Sequence, residues 1–113
     1  MHETSLAQAL LAQVDSLARE HRALRVARVR FRFGELAGVE EELFRFAFDA
    51  LSPPTVCAGA VLEILPDPVE WKCEACGHSI ASGDRLQCDI CGWPARLTQG
   101  NSLLLEQIEL ETP

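Results

Sequence analysis

The chain has 113 residues, 48% apolar and 24% charged, with a net charge of −7 and a pI near 4.8; it suits one domain with at most a small appendage and is neither fibrous nor disordered. The acidic balance argues against nucleic acid, whose binding needs a basic face, and in favour of protein partners or cations. No apolar run reaches the roughly 20 residues of a membrane span, and Met1-His2-Glu3-Thr4-Ser5 lacks the basic start of a secretory signal, so a cytoplasmic location is expected.

Residues 4–21 pattern as an amphipathic helix, with Leu6, Leu10, Val14, Leu17 and His21 on one face. Ser5 and Gln8 have capping-box spacing, which starts the helix at Thr4 or Ser5 and leaves Met1, His2 and Glu3 ahead of its first turn. Arg25 to Phe33 predict a strand, because Ala27, Val29, Phe31 and Phe33 alternate with Arg28, Arg30 and Arg32 up to Gly34. Glu40 to Leu51 predict a second helix. Leu43, Ala47, Ala50 and Leu51 form its apolar face, Phe44 and Phe48 flank that face, and Glu40, Glu41 and Glu42 sit where the helix dipole favours negative charge. Ser52-Pro53-Pro54 stops it.

Ala60 to Leu65 predict a short strand, and Pro66 and Pro68 mark a boundary before the cysteine segment at 71–97. Leu103 to Glu111 predict a last strand, with Ile108 and Leu110 opposed to Gln107, Glu109 and Glu111. That polar row can pair with the arginine row of the first strand if the two are neighbours. The expected class is therefore α+β: a three-stranded antiparallel sheet with two helices, and a cysteine module inserted before the last strand. Residues 1–66 and 101–113 form the α/β domain in this scheme, and 67–100 the module.

Four of the five cysteines form two matched pairs, Cys73-Glu-Ala-Cys76-Gly77 and Cys88-Asp-Ile-Cys91-Gly92. Two residues between paired cysteines let a tight turn aim both thiolates at one ion, and a following glycine tolerates the positive φ of such a turn. Two such knuckles make a closed tetrahedral Cys₄ set, the signature of structural zinc, and so short a segment needs a metal to fold. A redox pair would need only one Cys-x-x-Cys. An iron–sulfur or rubredoxin-like iron centre also uses thiolates, and a catalytic zinc would need an open position. His78 is an alternative ligand, although a solvated turn residue is the expectation. Trp71 and Trp93 flank the knuckles and are expected to cover them. Cys57 stands alone and reads as a small buried hydrophobe.

At the other end of the chain, Met1 supplies an α-amine, His2 a backbone nitrogen and an imidazole, and Glu3 a further backbone nitrogen and a carboxylate. Nitrogen-rich donors of this kind suit Ni(II) or Cu(II), in a site more exchangeable than the closed thiolate set.

Met1-His2-Glu3, Ser5-Leu6-Ala7-Gln8, Gly34-Glu35-Leu36-Ala37-Gly38-Val39 and the paired cysteine motifs, in that order, closely resemble the HypA/HybF family of [NiFe]-hydrogenase maturation proteins. The resemblance implies a nickel metallochaperone with a nickel-binding α/β domain and a zinc ribbon. It implies nickel at His2, with Met1 and Glu3 nearby, and a carboxylate contribution that falls on Glu40. It also implies a HypB-type GTPase and the hydrogenase large subunit as partners, urease as a recipient for some members, and leaves a homodimer open. The linker between the cysteine pairs carries only His78, so a histidine-assisted zinc site is less supported in this chain.

The leading expectation is a nickel carrier with structural zinc, without enzymatic activity, since no serine–histidine–acid set, P-loop or paired catalytic carboxylate is present. The alternatives are a zinc-ribbon protein-interaction adaptor without nickel function and a thiol oxidoreductase.

Overall fold

A computed structural model describes residues 2–81 and 85–113. In chain order it contains α1 (His2–Glu20), β1 (Arg25–Gly34), α2 (Glu41–Leu51), β2 (Val61–Asp67), β3 (Glu70–Cys73), β4 (Ser79–Ile80), β5 (Ala95–Gln99) and β6 (Leu103–Glu111). The strands form two three-stranded sheets, ordered β2-β1-β6 and β4-β3-β5. The chain divides into two compact units: Met1–Arg32, Val39–Leu65 and Leu104–Pro113 in one, Phe33–Gly38 and Pro66–Leu103 in the other.

In the first unit α1 begins at His2, two to three residues before the expected cap, and Thr4 and Ser5 are helical. His2 and Glu3 therefore lie in the first turn. An acidic residue suits that position, and the Glu3 carboxylate is held from outside the helix by the Glu40 N–H at 3.1 Å. The buried stripe of α1 is Ala7, Leu10, Leu11, Val14 and Ala18, while Leu6 and Leu17 are half-buried and His21 is exposed. The helix closes with Arg22 at φ 53°, Ala23 N–H on Ala18 C=O and Arg22 N–H on Arg19 C=O, a Schellman ending on a non-glycine residue.

The buried face of α2 is Phe44, Ala47 and Phe48, not the face expected around Leu43 and Ala50, which is exposed. The expectation rested on periodicity, and α2 carries apolar residues on more than one side, so packing against the sheet decides the choice. Phe44 meets Phe31 of β1 edge-on, with ring centroids 5.7 Å apart.

β1 is the central strand. From Val29 onward the alternation is as expected: Val29, Phe31 and Phe33 are buried and Arg28, Arg30 and Arg32 half-exposed. At its start Val26 is buried in place of Ala27. The expected antiparallel pairing holds for β1 and β6, since Leu24 N–H bonds Glu111 C=O and Gly34 N–H bonds Ser102 C=O. It does not hold for β2. Val26 N–H bonds Val56 C=O, Arg28 and Arg30 reach Glu63, and Glu35 N–H bonds Asp67 C=O, so contacts advance in the same sense along both segments and β2 runs parallel to β1. Parallel neighbours need a crossover connection, and α2 supplies it.

The arginine row meets acidic residues on both neighbouring strands. Arg25 pairs with Glu111 at 2.8 Å, Arg28 with Glu109 at 2.9 Å and with Glu63 at 2.6 Å, Arg30 with Glu63 at 2.9 Å, and Arg32 with Glu106 at 2.7 Å. The Arg30 side chain holds the Glu63 carboxyl below the usual carboxylate range.

In the second unit β3 is central. Trp71 lies opposite Ile80 of β4 and Leu97 of β5, and Cys73 lies opposite Ala95. Gly100 (φ 96°) passes so close to Val69 that an added Cβ would stand 2.7 Å from the Val69 Cα, which explains glycine at that crossing.

Phe44→Ala is expected to destabilise the first unit by about 3–5 kcal/mol, as a fully buried aromatic lost to a cavity. Phe46→Ala, on the exposed side of the same helix, should change stability by about 0.5 kcal/mol or less. Urea unfolding followed by circular dichroism distinguishes the two.

Candidate metal centre

Each cysteine pair sits on a hairpin-like turn. In the first, Gly77 N–H returns to Cys73 C=O at 3.0 Å, and Cys73 N–H bonds His78 C=O at 2.8 Å. The second repeats the pattern, with Gly92 N–H on Cys88 C=O at 3.0 Å and Cys88 N–H on Trp93 C=O at 2.8 Å. Gly77 and Gly92 adopt φ of 76° and 73°, the left-handed conformation that closes each knuckle and that glycine takes without a Cβ penalty.

The turns aim backbone amides at sulfur. Ala75 and Cys76 N–H both donate to Cys73 Sγ at 3.4 Å, and Ile90 N–H donates to Cys88 Sγ at 3.4 Å. All four Sγ atoms lie within 4.8 Å of one another. Cys73–Cys91 are 3.4 Å apart, Cys76–Cys88 3.7 Å and Cys76–Cys91 3.9 Å. Thiolates about 2.3 Å from a tetrahedral zinc ion stand about 3.8 Å apart, so the residues fit such an ion.

The thiols cannot all ionise unaided. The Cys76 N–H, helped by the Cys91 thiol and the Ala75 N–H, pulls the Cys73 thiol down to about 6. Cys91, although the Trp93 N–H favours its thiolate, is pushed up to about 12 by Cys73, by partial desolvation of its sulfur among its neighbours and by the other two sulfurs. Cys76 is raised too: the His78 N–H lowers it, but Cys73, burial and Cys88 outweigh that. Four sulfurs this close repel as thiolates, and a divalent cation among them inverts the balance. Cys73 and Cys88 are buried, Cys76 and Cys91 exposed.

His78 is exposed and contributes its carbonyl to the turn. The expected tryptophan cover is only partly present. Trp71 is half-buried within β3, whereas Trp93, outside any strand, is 54% exposed. Cys57 is buried, and burial raises its thiol, as for a packing residue.

At the N-terminal end, Met1 lies outside the described residues. His2 is exposed in the first turn of α1 and Glu3 half-buried beside it. The Glu40 N–H holds the Glu3 carboxyl below its usual range. Glu40 is the exposed N-cap of α2, so the fold brings Glu3 and Glu40 together, a contact between distant segments that no periodicity announces. The first N–H groups of a helix have no intrahelical acceptor, so the amide nitrogens of His2 and Glu3 are free of helical hydrogen bonding. Among the described residues, the four cysteines are the one group in which three or more side chains of metal-binding type converge.

A family model described as hydrogenase/urease nickel incorporation, metallochaperone, hypA matches residues 1–110. The hydrogenase maturation factor HypA of Dehalococcoides mccartyi strain 195 is 39% identical over 113 residues, covering 98% of this chain and 95% of its own. That of Nitrosospira multiformis is 41% identical over 114 residues, covering 99% of each. The solution structure of the Ni metallochaperone HypA from Helicobacter pylori superposes with a TM-score of 0.77 at 29% identity, covering 98% of each chain. A second solution structure of a HypA protein gives 0.84 at 30% identity, covering 100% of this chain and 98% of that one.

Cys73→Ser or Cys88→Ser is expected to weaken zinc binding on the order of 100-fold, one ligand's share of a total of about 10–16 kcal/mol, by competition titration against a chelator. Zinc uptake at pH 7 should release protons, because Cys91, with its thiol near 12, must give one up while Cys73, near 6, is largely thiolate beforehand. Affinity therefore falls as pH falls, which titrations at pH 6 and 8 would read.

Proposed function

The chain belongs to the HypA family of nickel-incorporation metallochaperones, and on that premise we propose that it carries nickel at its N-terminal end and zinc in its four-cysteine centre. The observation that carries this reading is the closed convergence of Cys73, Cys76, Cys88 and Cys91. Four thiolates leave no open position, so a zinc ion there is structural and an exchangeable cargo must be held by other donors.

The cargo is Ni(II), bound through His2 with nitrogen donors from Met1 and Glu3. His2 is exposed, and the first-turn amides can be used without opening the helical ladder. Glu40 is the proposed further oxygen ligand, a reading supported by the hydrogen bond from its backbone N–H to the Glu3 carboxylate. Residues 1–66 and 101–113 act as the nickel-binding part, and 67–100 as the zinc ribbon. The exposed His2 lets a receiving protein approach the ion, whereas the cysteine shell keeps its own. The carrier works in the cytoplasm with a HypB-type GTPase, delivers nickel to the large subunit of [NiFe]-hydrogenase, and catalyses no reaction itself.

His2→Ala is expected to abolish nickel binding while leaving one zinc per chain, measured by calorimetry with elemental analysis. An uncleaved N-terminal extension, which removes the α-amine, should weaken nickel in the same way. Nickel affinity that survives both changes would place the site elsewhere.

A further inference from the structure

Helix α2 has two apolar faces. One is the core face of Phe44, Ala47 and Phe48. The other is a stripe of Leu43, Phe46 and Ala50 at helical spacing, with Leu43 56% and Phe46 76% exposed. A helix that packs only on its own core needs a single apolar face. A contiguous exposed apolar patch marks an interaction surface, whereas single exposed apolar residues are ordinary.

The stripe lines a groove between α1 and α2. One end is bounded by Glu3, Leu43, Phe46, Ala50 and Leu51. The other is bounded by Gln8, Leu11, Ala12, Leu51 and Pro54. Leu51 borders both hollows. From Glu3 to Asp15 the axis of α1 rises about 18 Å, the length of three turns of another helix.

The charge on the rim selects the occupant. Glu3 and Asp15 border the groove on α1, and Glu42 and Asp49 neighbour the stripe on α2. The arginines of these two helices are engaged: Arg19 with the rim acid Asp15 at 2.8 Å, which offsets that charge, and Arg45 with Glu41 at 3.2 Å and the Leu62 carbonyl at 3.2 Å. Among the described residues, Glu42 and Asp49 enter no ion pair. A second copy docked here would set an acidic rim against an acidic rim. An anionic membrane or a nucleic acid would be repelled. A helix with apolar side chains on one face and lysines or arginines beside them satisfies both the stripe and the rim.

We propose that the groove between α1 and α2 docks a basic amphipathic helix of a partner protein. Leu43 and Phe46 are its anchors, and Glu42 and Asp49 select its charge. The inference uses the shape and charge of the groove and stands independently of the nickel assignment, although Glu3 at its end adjoins His2.

The test uses the full-length, zinc-loaded protein and two fluorescein-labelled 18-residue peptides with the same leucine stripe, one flanked by lysines and the other by glutamates. In fluorescence anisotropy the lysine peptide should bind saturably, lose affinity as salt rises, and bind at least tenfold tighter than the glutamate peptide. Phe46→Ala and Leu43→Ala should each weaken it tenfold or more with unchanged thermal midpoints, and Leu104→Ala, at an exposed apolar position on β6, should leave it unchanged. No saturable binding of the lysine peptide, equal binding of both peptides, or indifference to Phe46→Ala would overturn the proposal. So would a concentration-dependent dimer in sedimentation that Phe46→Ala abolishes, which would assign the groove to a second copy. Nickel titration of Phe46→Ala separates this outcome from the His2 assignment, since that variant should keep full nickel binding.

Discussion

The two-sided character of β1 organises the first unit. Val29 and Phe31 bury one side, with Phe31 against Phe44 of α2, while Arg25, Arg28, Arg30 and Arg32 project among glutamates of β2 and β6. The phenylalanines supply the burial. The ion pairs are half-exposed, and each contributes about 0–1 kcal/mol. Their greater consequence is for register, because a slip of one residue would send every phenylalanine to water and every arginine to the core. With the centre fixed, α2 is held as the crossover to β2, and its first turn is set where the Glu40 N–H meets Glu3.

The second unit depends on a different force. Its sheet of two-, four- and five-residue strands offers little apolar surface, and Cys73 and Cys88 are its buried cysteines. The paired knuckles bring four sulfurs together at the cost of mutual repulsion, and an ion relieves that repulsion. In small metal-stabilised modules generally, metal binding and folding are coupled.

In the proposed division of labour, the metal held most firmly is the one that does not move. A shell of four thiolates is closed to exchange, whereas the first turn of a helix offers an exposed imidazole and amides without helical partners. The proposed groove, with its apolar stripe and acidic rim, begins at Glu3, next to His2, so the two proposed sites adjoin at the start of α1.

The sequence by itself determined what is local. Cysteine spacing and the glycines that follow define the knuckles, because chelation by a tight turn depends on a handful of consecutive residues. Period-two alternation located β1, the arginine row anticipated Glu109 and Glu111 of the last strand but not Glu63 or Glu106, and the order of motifs carried the resemblance to the nickel-chaperone family. Only the tertiary structure decided the rest. β2 runs parallel to β1 because α2 crosses between them. The first helix starts at His2, with Glu3 anchored by a backbone group 37 residues away. Leu43 faces outward and Phe44 inward because the sheet presents Phe31 to one side of a helix that is apolar on two, and Trp93 stays exposed. Each of these outcomes is a choice between locally equivalent arrangements, and contacts between distant segments make that choice.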